Sequence, residues 1–379
     1  MMSTMKRLLS WSVAVLALLA VGSLGSCVAK PKPLVFNGDT LPENNEYKRT
    51  LVGYVKKKAA LVEISGIACS RVTPGYLWME SDDYSDCIVA TDDQGTTRAK
   101  LVNLTPKIDR NDWEDMCGGV YNGTNYLFIG AFGDNNASKG NYKIVYLEEP
   151  AIGDVASQTI APSVINFQYP NGIKHNAEAL MYDNIEQKLY IITKVYYDVC
   201  QVFSLPFSLE YGDSLQTLEY VCDLGQITDI GEGVISGKTY RYKGFHLVTA
   251  ADISPDGSHI LIKNQNNTAQ DNNQDYSWVL LWKREGNESI SETLKRQPEV
   301  IQSYSQEWQG EAICWLNNYV FYTVSDDDGE PPLYKYTKPY PEGIDNIGTA
   351  EAVTKVMRDG QMLILRGEKA YTLTGTEIR

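Results

Sequence analysis

A short pattern that recurs five times along the chain constrains its fold more than any other feature of the sequence. Each copy is an apolar run that opens with a small or acidic residue. A turn and a second, strongly apolar run follow each copy, with aromatic and β-branched residues at the spacing typical of β-hairpins. The five copies are ISGIACS from Ile64, WEDMCGG from Trp113, AEALMYD from Ala177, AADISPDG from Ala250 and GEAICWL from Gly310.

The spacing of these copies predicts the kind of all-β fold. One aligned position recurs at intervals of 49, 64, 73 and 60 residues. A four-stranded blade of a β-propeller takes about 40–50 residues plus its loops, so each interval holds one blade. The segments before the first copy and after the last either complete the fifth blade and close the ring, or form a sixth blade. We therefore predict an all-β fold, a single β-propeller of five blades, with six blades as the alternative.

The aligned position itself is polar in most copies. It is occupied by Ser65, Glu114, Glu178, Ala251 and Glu311. In a propeller the innermost strands surround a central channel, so residues in one register form a ring around its axis. Three carboxylates brought together in this way repel one another, and a hard divalent cation relieves the repulsion.

The metal predicted for this ring is Ca²⁺, because it accepts mixed shells of carboxylate, hydroxyl and carbonyl oxygens. Mg²⁺ is the second choice, since its smaller octahedral shell fits a broad ring less well. The predicted metal ligands are Ser65, Glu114, Glu178 and Glu311. The alternative is that these acids accept hydrogen bonds from backbone amides or pair with Lys and Arg.

A second set of polar residues follows the second strand of each hairpin, on the face where the ring lies. This mixed-charge set predicts a funnel for a polar, anionic small molecule, with Asp134 or Asp82 orienting a water molecule for hydrolysis. His175 is a candidate general base, and the alternative for it is a structural, hydrogen-bonded role. The predicted ligand-binding residues are Asn135, Lys194, Lys263 and Ser325.

The N-terminal segment is predicted to be an export signal. Lys6 and Arg7 precede an apolar run that is too short for a comfortable membrane span. The run ends in LGSC, which resembles the lipobox of bacterial lipoproteins, where the Cys is acylated and becomes the new N-terminus. The predicted organisation is a signal peptide at 1–26, a lipidated Cys27 with a tether at 27–45, and the propeller at 46–379. These features predict a lipid bilayer as partner and the cell envelope as location, with the membrane face left open.

Composition excludes several classes of function. The chain has 34 Lys and Arg against 48 Asp and Glu, a formal charge of −14, which argues against a basic groove for nucleic acid. Its three His residues leave little material for a multi-histidine zinc site. The sequence holds no Gly-x-Ser-x-Gly elbow, His-Glu-x-x-His pair, P-loop or dinucleotide fingerprint.

Six cysteines remain besides the lipobox cysteine. Cys69, Cys117 and Cys314 fall in or near one register of the repeat, so we expect small buried packing residues. Cys200 with Cys222 is the one pair considered for a disulfide.

Two resemblances to known families follow from these residues. The order Ser, Glu, Glu, a fourth position and Glu, one per blade, resembles the axial calcium ring of soluble calcium-activated nucleotidases, the apyrase family with a five-bladed propeller. That family has Ser at the fourth position, where this chain has Ala251 with Thr249 and Asp252 nearby. The strings NDWEDM, FGDNNASKGNYKIVYLEEP, HNAEALMYDNIEQKLYIITK and WQGEAICW are similar to a family of exported bacterial propeller-like proteins, which implies the architecture and no chemistry.

Three classes of function are compatible with these predictions. The first is an envelope lipoprotein whose propeller is stabilised by calcium, without a proven catalytic activity. The second is a metal-assisted hydrolase of phosphate-containing or other anionic small molecules. The third is a glycan-binding envelope protein, for which the abundant Tyr and Trp would provide stacking surfaces.

Overall fold

A computed structural model gives the fold of this chain. The residues that it describes are 35–36, 39–55, 61, 63–82, 84–95, 100–104, 112–153, 157–195, 199–225, 232–235, 238–241, 247–266, 276–307, 310–325, 329–340, 353–358, 361–366, 369–372 and 377–378. The predicted signal peptide and Cys27 lie outside these residues.

Four short strands open the described part of the chain. They are β1 (Val35–Phe36), β2 (Asp39–Thr40), β3 (Glu43–Asn44) and β4 (Lys48–Tyr54). β1 pairs with β2, whereas β3 and β4 join sheets formed much later in the sequence.

Five sheets of at least four strands then form the blades of a ring, which confirms the predicted five-bladed β-propeller. Blade 1 contains β5 (Ile64–Cys69), β6 (Tyr76–Ser81), β7 (Tyr84–Asp92) and β8 (Lys100–Leu104). Blade 2 contains β9 (Trp113–Tyr121), β10 (Thr124–Ala131), β11 (Tyr142–Glu148) and, after β12 (Ser157–Ile160), β13 (Ser163–Gln168). Blade 3 contains β14 (Ala177–Asp183), β15 (Lys188–Thr193), β16 (Gln201–Pro206) and, after β17 (Gln216–Thr217), β18 (Glu219–Asp223).

The last two blades follow a separate hairpin of β19 (Glu232–Ile235) and β20 (Lys238–Arg241). Blade 4 contains β21 (Val248–Ile253), β22 (His259–Asn266), β23 (Tyr276–Lys283) and, after the helix α1 (Ile290–Leu294), β24 (Glu299–Gln306). Blade 5 contains β25 (Ala312–Asn317), β26 (Val320–Val324) and β27 (Pro332–Thr337), and its fourth strand is β4. Short parallel strands extend three blades, since β12 pairs with β8, β17 with β13 and β3 with β24.

The ring is closed by its N-terminal strand. β4 pairs antiparallel with β27, and this register places Leu51 opposite Tyr334. The last described residues form their own sheet of β28 (Val353–Arg358), β29 (Gln361–Arg366), β30 (Lys369–Thr372) and β31 (Glu377–Ile378). The segment before the first repeat therefore supplies the closing strand, as one alternative predicted, while part of the C-terminal segment forms a separate sheet.

Large apolar side chains fill the spaces between neighbouring blades. The rings of Phe128 in blade 2 and Tyr182 in blade 3 stack with centroids 4.9 Å apart. A Cβ on Gly119 of β9 would overlap the ring of Tyr182, so only glycine allows this close approach. The predicted packing residues Cys69, Cys117 and Cys314 are buried, which confirms that expectation.

Candidate functional site

β-Bulges place the polar column of the repeat at the start of the inner strands. In three blades the ladder between the first two strands skips one residue, and the skipped residue is Ser65, Glu178 or Thr249. A bulged residue is released from regular pairing, and its side chain is turned away from the ordinary alternation. Glu114 lies in the matching irregularity of blade 2, and Glu311 immediately precedes the first paired residue of β25.

The structure corrects the fourth member of this column. The sequence alignment put Ala251 there, but Ala251 is paired with Ile262 in the regular ladder and is buried in the apolar core. Thr249 holds the equivalent position, and its hydroxyl donates to the backbone oxygen of Gly310 at 2.7 Å. The alignment was wrong by two residues because no particular residue type marks the position of a bulge in an apolar strand. We call Ser65, Glu114, Glu178, Thr249 and Glu311 the axial ring.

Lys194 is the cation of the axial ring. It follows β15 and its ammonium donates to Glu178 Oε2, with only 9% of the lysine side chain and 5% of the glutamate side chain exposed. Burial alone would lower the pKa of Lys194, but the charges of Glu178 and Glu311 raise it above its usual range. Lys194 was predicted to bind a ligand in the funnel, whereas its ammonium lies against Glu178.

Two carboxyl groups of the ring, those of Glu114 and Glu178, have raised pKa values. Burial raises the pKa of Glu114 well above its usual range, and the charges of Glu178 and Glu311 add to this effect. Burial also raises the pKa of Glu178, which the ammonium of Lys194 limits to about 7. The three carboxyl groups are therefore close enough to influence one another, as the repeat predicted.

Neighbouring residues contact two of the carboxylates. Gln265 donates from Nε2 to Glu311 Oε1 at 2.9 Å. The carboxylate of Glu114 lies against the backbone of Gly133, where a Cβ would overlap Glu114 Oε1. Glu311 is thus held by a hydrogen bond, and Glu114 is held by close packing against a glycine.

The acidic side chains of the axial ring do not form an assembled metal shell. Within the described part of the chain, no three His, Cys, Asp or Glu side chains are grouped so as to hold a metal ion. The pairing of Glu178 with Lys194 is the alternative that the sequence left open for these acids. As placed, the side chains of the ring fit an internal ion pair better than an assembled metal shell, and calcium remains a prediction.

A second pair of acids ties the inner strands together; the sequence reasoning missed Asp115 and named Asp252 only as a substitute for the fourth metal ligand. Asp115 Oδ2 accepts hydrogen bonds from the backbone N–H of Leu180 at 2.8 Å and of Ala251 at 3.1 Å. Asp252 Oδ2 accepts from the N–H of Trp315 at 2.7 Å. Blades 2 to 5 are therefore linked near the axis. An acidic residue within an otherwise apolar inner strand was the available signal.

Asp134 closes a loop. It is 1% exposed and accepts from the backbone N–H of Ser138 and of Lys139 and from the hydroxyl of Tyr142, each at 2.8 Å. Burial would raise the pKa of Asp134, but these donors lower it below its usual range. Exposed Asn135 accepts from the side chain of Asn176 at 3.2 Å.

The remaining predicted residues lie in separate surroundings. Lys263 is fully buried and paired with Glu307, and Ser325 is buried as well. His175 packs against Tyr169 with ring centroids 4.7 Å apart, and burial lowers its pKa. Half-buried Asp82 lies close enough to add to the raised pKa of Glu80, for which burial is the main cause.

A cavity of about 600 Å³ lies elsewhere, near the start of β10 and the end of β11. Its lining includes Tyr126, Tyr146 and Glu148. Because β10 runs from this end of blade 2 to the end that carries Glu114, the cavity and the axial ring are on opposite faces.

Among the described residues, no helix is long and apolar enough to cross a membrane. No known protein family and no curated protein matches this chain. Solved structures similar to it include a protein of unknown function from Bacteroides thetaiotaomicron VPI-5482, with a TM-score of 0.39 and 11% identity, covering 77% of this chain and 76% of that chain. Another is an α-L-arabinofuranosidase from Podospora anserina in complex with cellotriose, with a TM-score of 0.43 and 12% identity, covering 79% of this chain and 99% of that chain. At these identities the likeness concerns the fold alone.

Proposed function

We propose that this chain is an exported, lipid-anchored envelope protein whose propeller binds calcium at the axial ring, in exchange with the ammonium of Lys194. The observation that carries the proposal is the charge of the ring. When ionised, three carboxylates and one ammonium leave two negative charges unbalanced. Burial, with the charges of the neighbouring carboxylates, raises the pKa values of Glu114 and Glu178. A divalent cation supplies the missing charge.

The donor set suits calcium in chemistry. Glu114, Glu178 and Glu311 offer carboxylate oxygens, and Ser65 and Thr249 offer hydroxyl oxygens. Calcium takes six to eight oxygen ligands, with water completing the shell, and tolerates irregular geometry better than Mg²⁺. Binding requires the ammonium of Lys194 to leave Glu178, because two cations at one carboxylate repel each other.

The anchoring part of the proposal is supported by the N-terminal sequence. The basic start, the apolar run and the LGSC sequence ending at Cys27 are what an acylated, exported protein requires. Metabolic labelling with a radioactive or clickable fatty acid tests this part directly. Wild type should carry the label and Cys27→Ala should not, while label on both proteins would contradict the assignment.

The calcium site is tested by thermal unfolding of the purified chain. Wild type should melt at a higher temperature in Ca²⁺ than in chelator, and Glu311→Gln should abolish most of that difference. Glu148→Gln serves as the control, because Glu148 is exposed on the opposite face. Equal melting temperatures of wild type with Ca²⁺ and with chelator would refute the proposal.

Catalysis has less support than cation binding. Asp134, predicted to orient a water molecule for hydrolysis, and Lys263, predicted to bind the ligand, are both engaged with partners of their own chain. Screening wild type with nucleotides, sugar phosphates and oligosaccharides in Ca²⁺ tests both the hydrolase and the glycan-binding alternatives. Turnover that Asp134→Ala removes would support the hydrolase, and saturable oligosaccharide binding without turnover would support the glycan-binding alternative.

A further inference from the structure

Two cysteines meet at the seam where the ring closes. Cys69 ends β5 of blade 1, and Cys314 lies in β25 of blade 5. Their Sγ atoms are 3.4 Å apart although 245 positions separate them in the sequence. Both are thiols in this structure, and both are buried.

This contact has no counterpart among the other cysteines of the repeat. Cys117 occupies the place in blade 2 that Cys314 occupies in blade 5, and it packs in a cluster of apolar and aromatic side chains. Cys200 and Cys222, the pair considered from the sequence, are both buried and are not joined by a disulfide in this structure. The sequence reasoning missed Cys69 with Cys314 because the first and last blades become neighbours only when the ring closes.

We propose that Cys69 and Cys314 form a disulfide that covalently joins the first and last blades of the propeller. An S–S bond is about 2.05 Å long, so the two sulfur atoms, which are 3.4 Å apart, need to approach by about 1.4 Å. Side-chain rotation and small strand shifts are of this size. The bond would join inner strands from opposite ends of the propeller segment.

The oxidation has a defined balance and a defined stage. The thiolate of one cysteine attacks an external disulfide, such as oxidised glutathione or a disulfide oxidoreductase, and releases one thiol. The second cysteine then attacks this mixed disulfide and releases the other thiol, so two electrons pass to the external disulfide. Because both sulfurs are buried in the folded ring, the first exchange belongs to folding, before blades 1 and 5 dock, and the second follows as docking brings the two cysteines together. In the cell it requires the oxidising compartment that export would provide.

Refolding in a glutathione redox buffer tests the bond independently of where the protein is located. The full-length chain is unfolded, refolded in oxidised and reduced glutathione, alkylated and digested for mass spectrometry. We expect one cross-linked pair of peptides, containing Cys69 and Cys314, while the peptides of Cys117, Cys200 and Cys222 are alkylated. Recovery of alkylated Cys69 and Cys314 from correctly folded protein, or their linkage to other cysteines, would overturn the proposal.

A stability measurement gives the second readout. The oxidised protein should melt higher than the reduced protein, by about 5 °C for a bond that closes a long loop. Cys314→Ser should remove this redox dependence, whereas Cys117→Ser, an equally buried control, should retain it. A redox dependence retained in Cys314→Ser would assign it to another pair and refute the proposal. Wild-type peptide mapping decides the matter even where a variant fails to fold.

Discussion

Replacing Lys194 by Met tests the charge balance of the axial ring most directly. The substitution keeps a long apolar side chain and removes the ammonium that contacts Glu178. Breaking a buried ion pair by removing one partner costs about 3–5 kcal/mol, because the remaining charge is left without compensation. Glu178 can escape part of this cost by taking up a proton.

Protonation of Glu178 limits the stability that Lys194→Met can lose, and this limit depends on pH. A glutamate with an unfolded pKa of about 4.3 takes about 4 kcal/mol to protonate at about pH 7.5, and about 2 kcal/mol at about pH 5.5. The stability lost in Lys194→Met should therefore shrink by roughly half between these two pH values. Calcium should restore part of the loss at the higher pH, because it can occupy the position that the ammonium has vacated.

Urea unfolding of wild type and variant at the two pH values, with Ca²⁺ or chelator, measures each quantity. Lys139→Met is the matched control, since Lys139 pairs with Asp112 at 2.8 Å but keeps 42% of its side chain exposed. Loss of this pair should cost below about 1 kcal/mol. An equal loss at both pH values for Lys194→Met would show that charge is not the cause, and no recovery in Ca²⁺ would refute the exchange.

Three further predictions follow from the strands and glycines. Burial raises the pKa of Asp252 to about 7, so the folded state keeps a proton that the unfolded chain releases above about pH 4. The stability of wild type relative to Asp252→Asn should therefore fall as pH rises from about 4 to about 7. Urea titrations measure this difference, and a difference that grows with pH would contradict the prediction. Gly119→Ala should cost about 1–3 kcal/mol through overlap with Tyr182, whereas Gly153→Ala, with open space around its Cβ position, should cost little; equal urea midpoints would disprove the overlap. Deleting residues 1–54 removes β4, and it should lower the melting temperature and cause aggregation that gel filtration detects. Deleting residues 1–34 should do neither. Similar behaviour of both truncated proteins would show that β4 does not close the ring.

The periodic part of the fold could be predicted from the sequence, because each blade carries its own local signal. Hairpins of apolar strands recur at blade spacing, and the glutamates that open three of them lie close enough to shift one another's pKa values. Glu114, Glu178 and Glu311 were found in this way. Their proximity follows from the symmetry of the propeller and needs no knowledge of individual contacts.

The features that were missed depend on contacts between distant residues. The sequence alignment gave the fourth position of the ring to Ala251, two residues after Thr249, since only the paired ladder reveals the bulge. Lys194 was predicted to bind a ligand, and its contact with Glu178 was missed because that contact depends on the local direction of both side chains. The links from Asp115 to blades 3 and 4 join strands that the sequence gives no reason to pair.

The N-terminal closing strand also dictates an order of assembly. β4 is synthesised before any blade is complete, but its partner β27 belongs to the last blade. Until then its backbone groups have no strand to pair with, and an unpaired edge invites association with other chains. Closure therefore comes late in folding and depends on contacts of long sequence separation, which slow folding. A nascent chain of this design therefore exposes the edge of its first long strand to other chains until the final blade arrives.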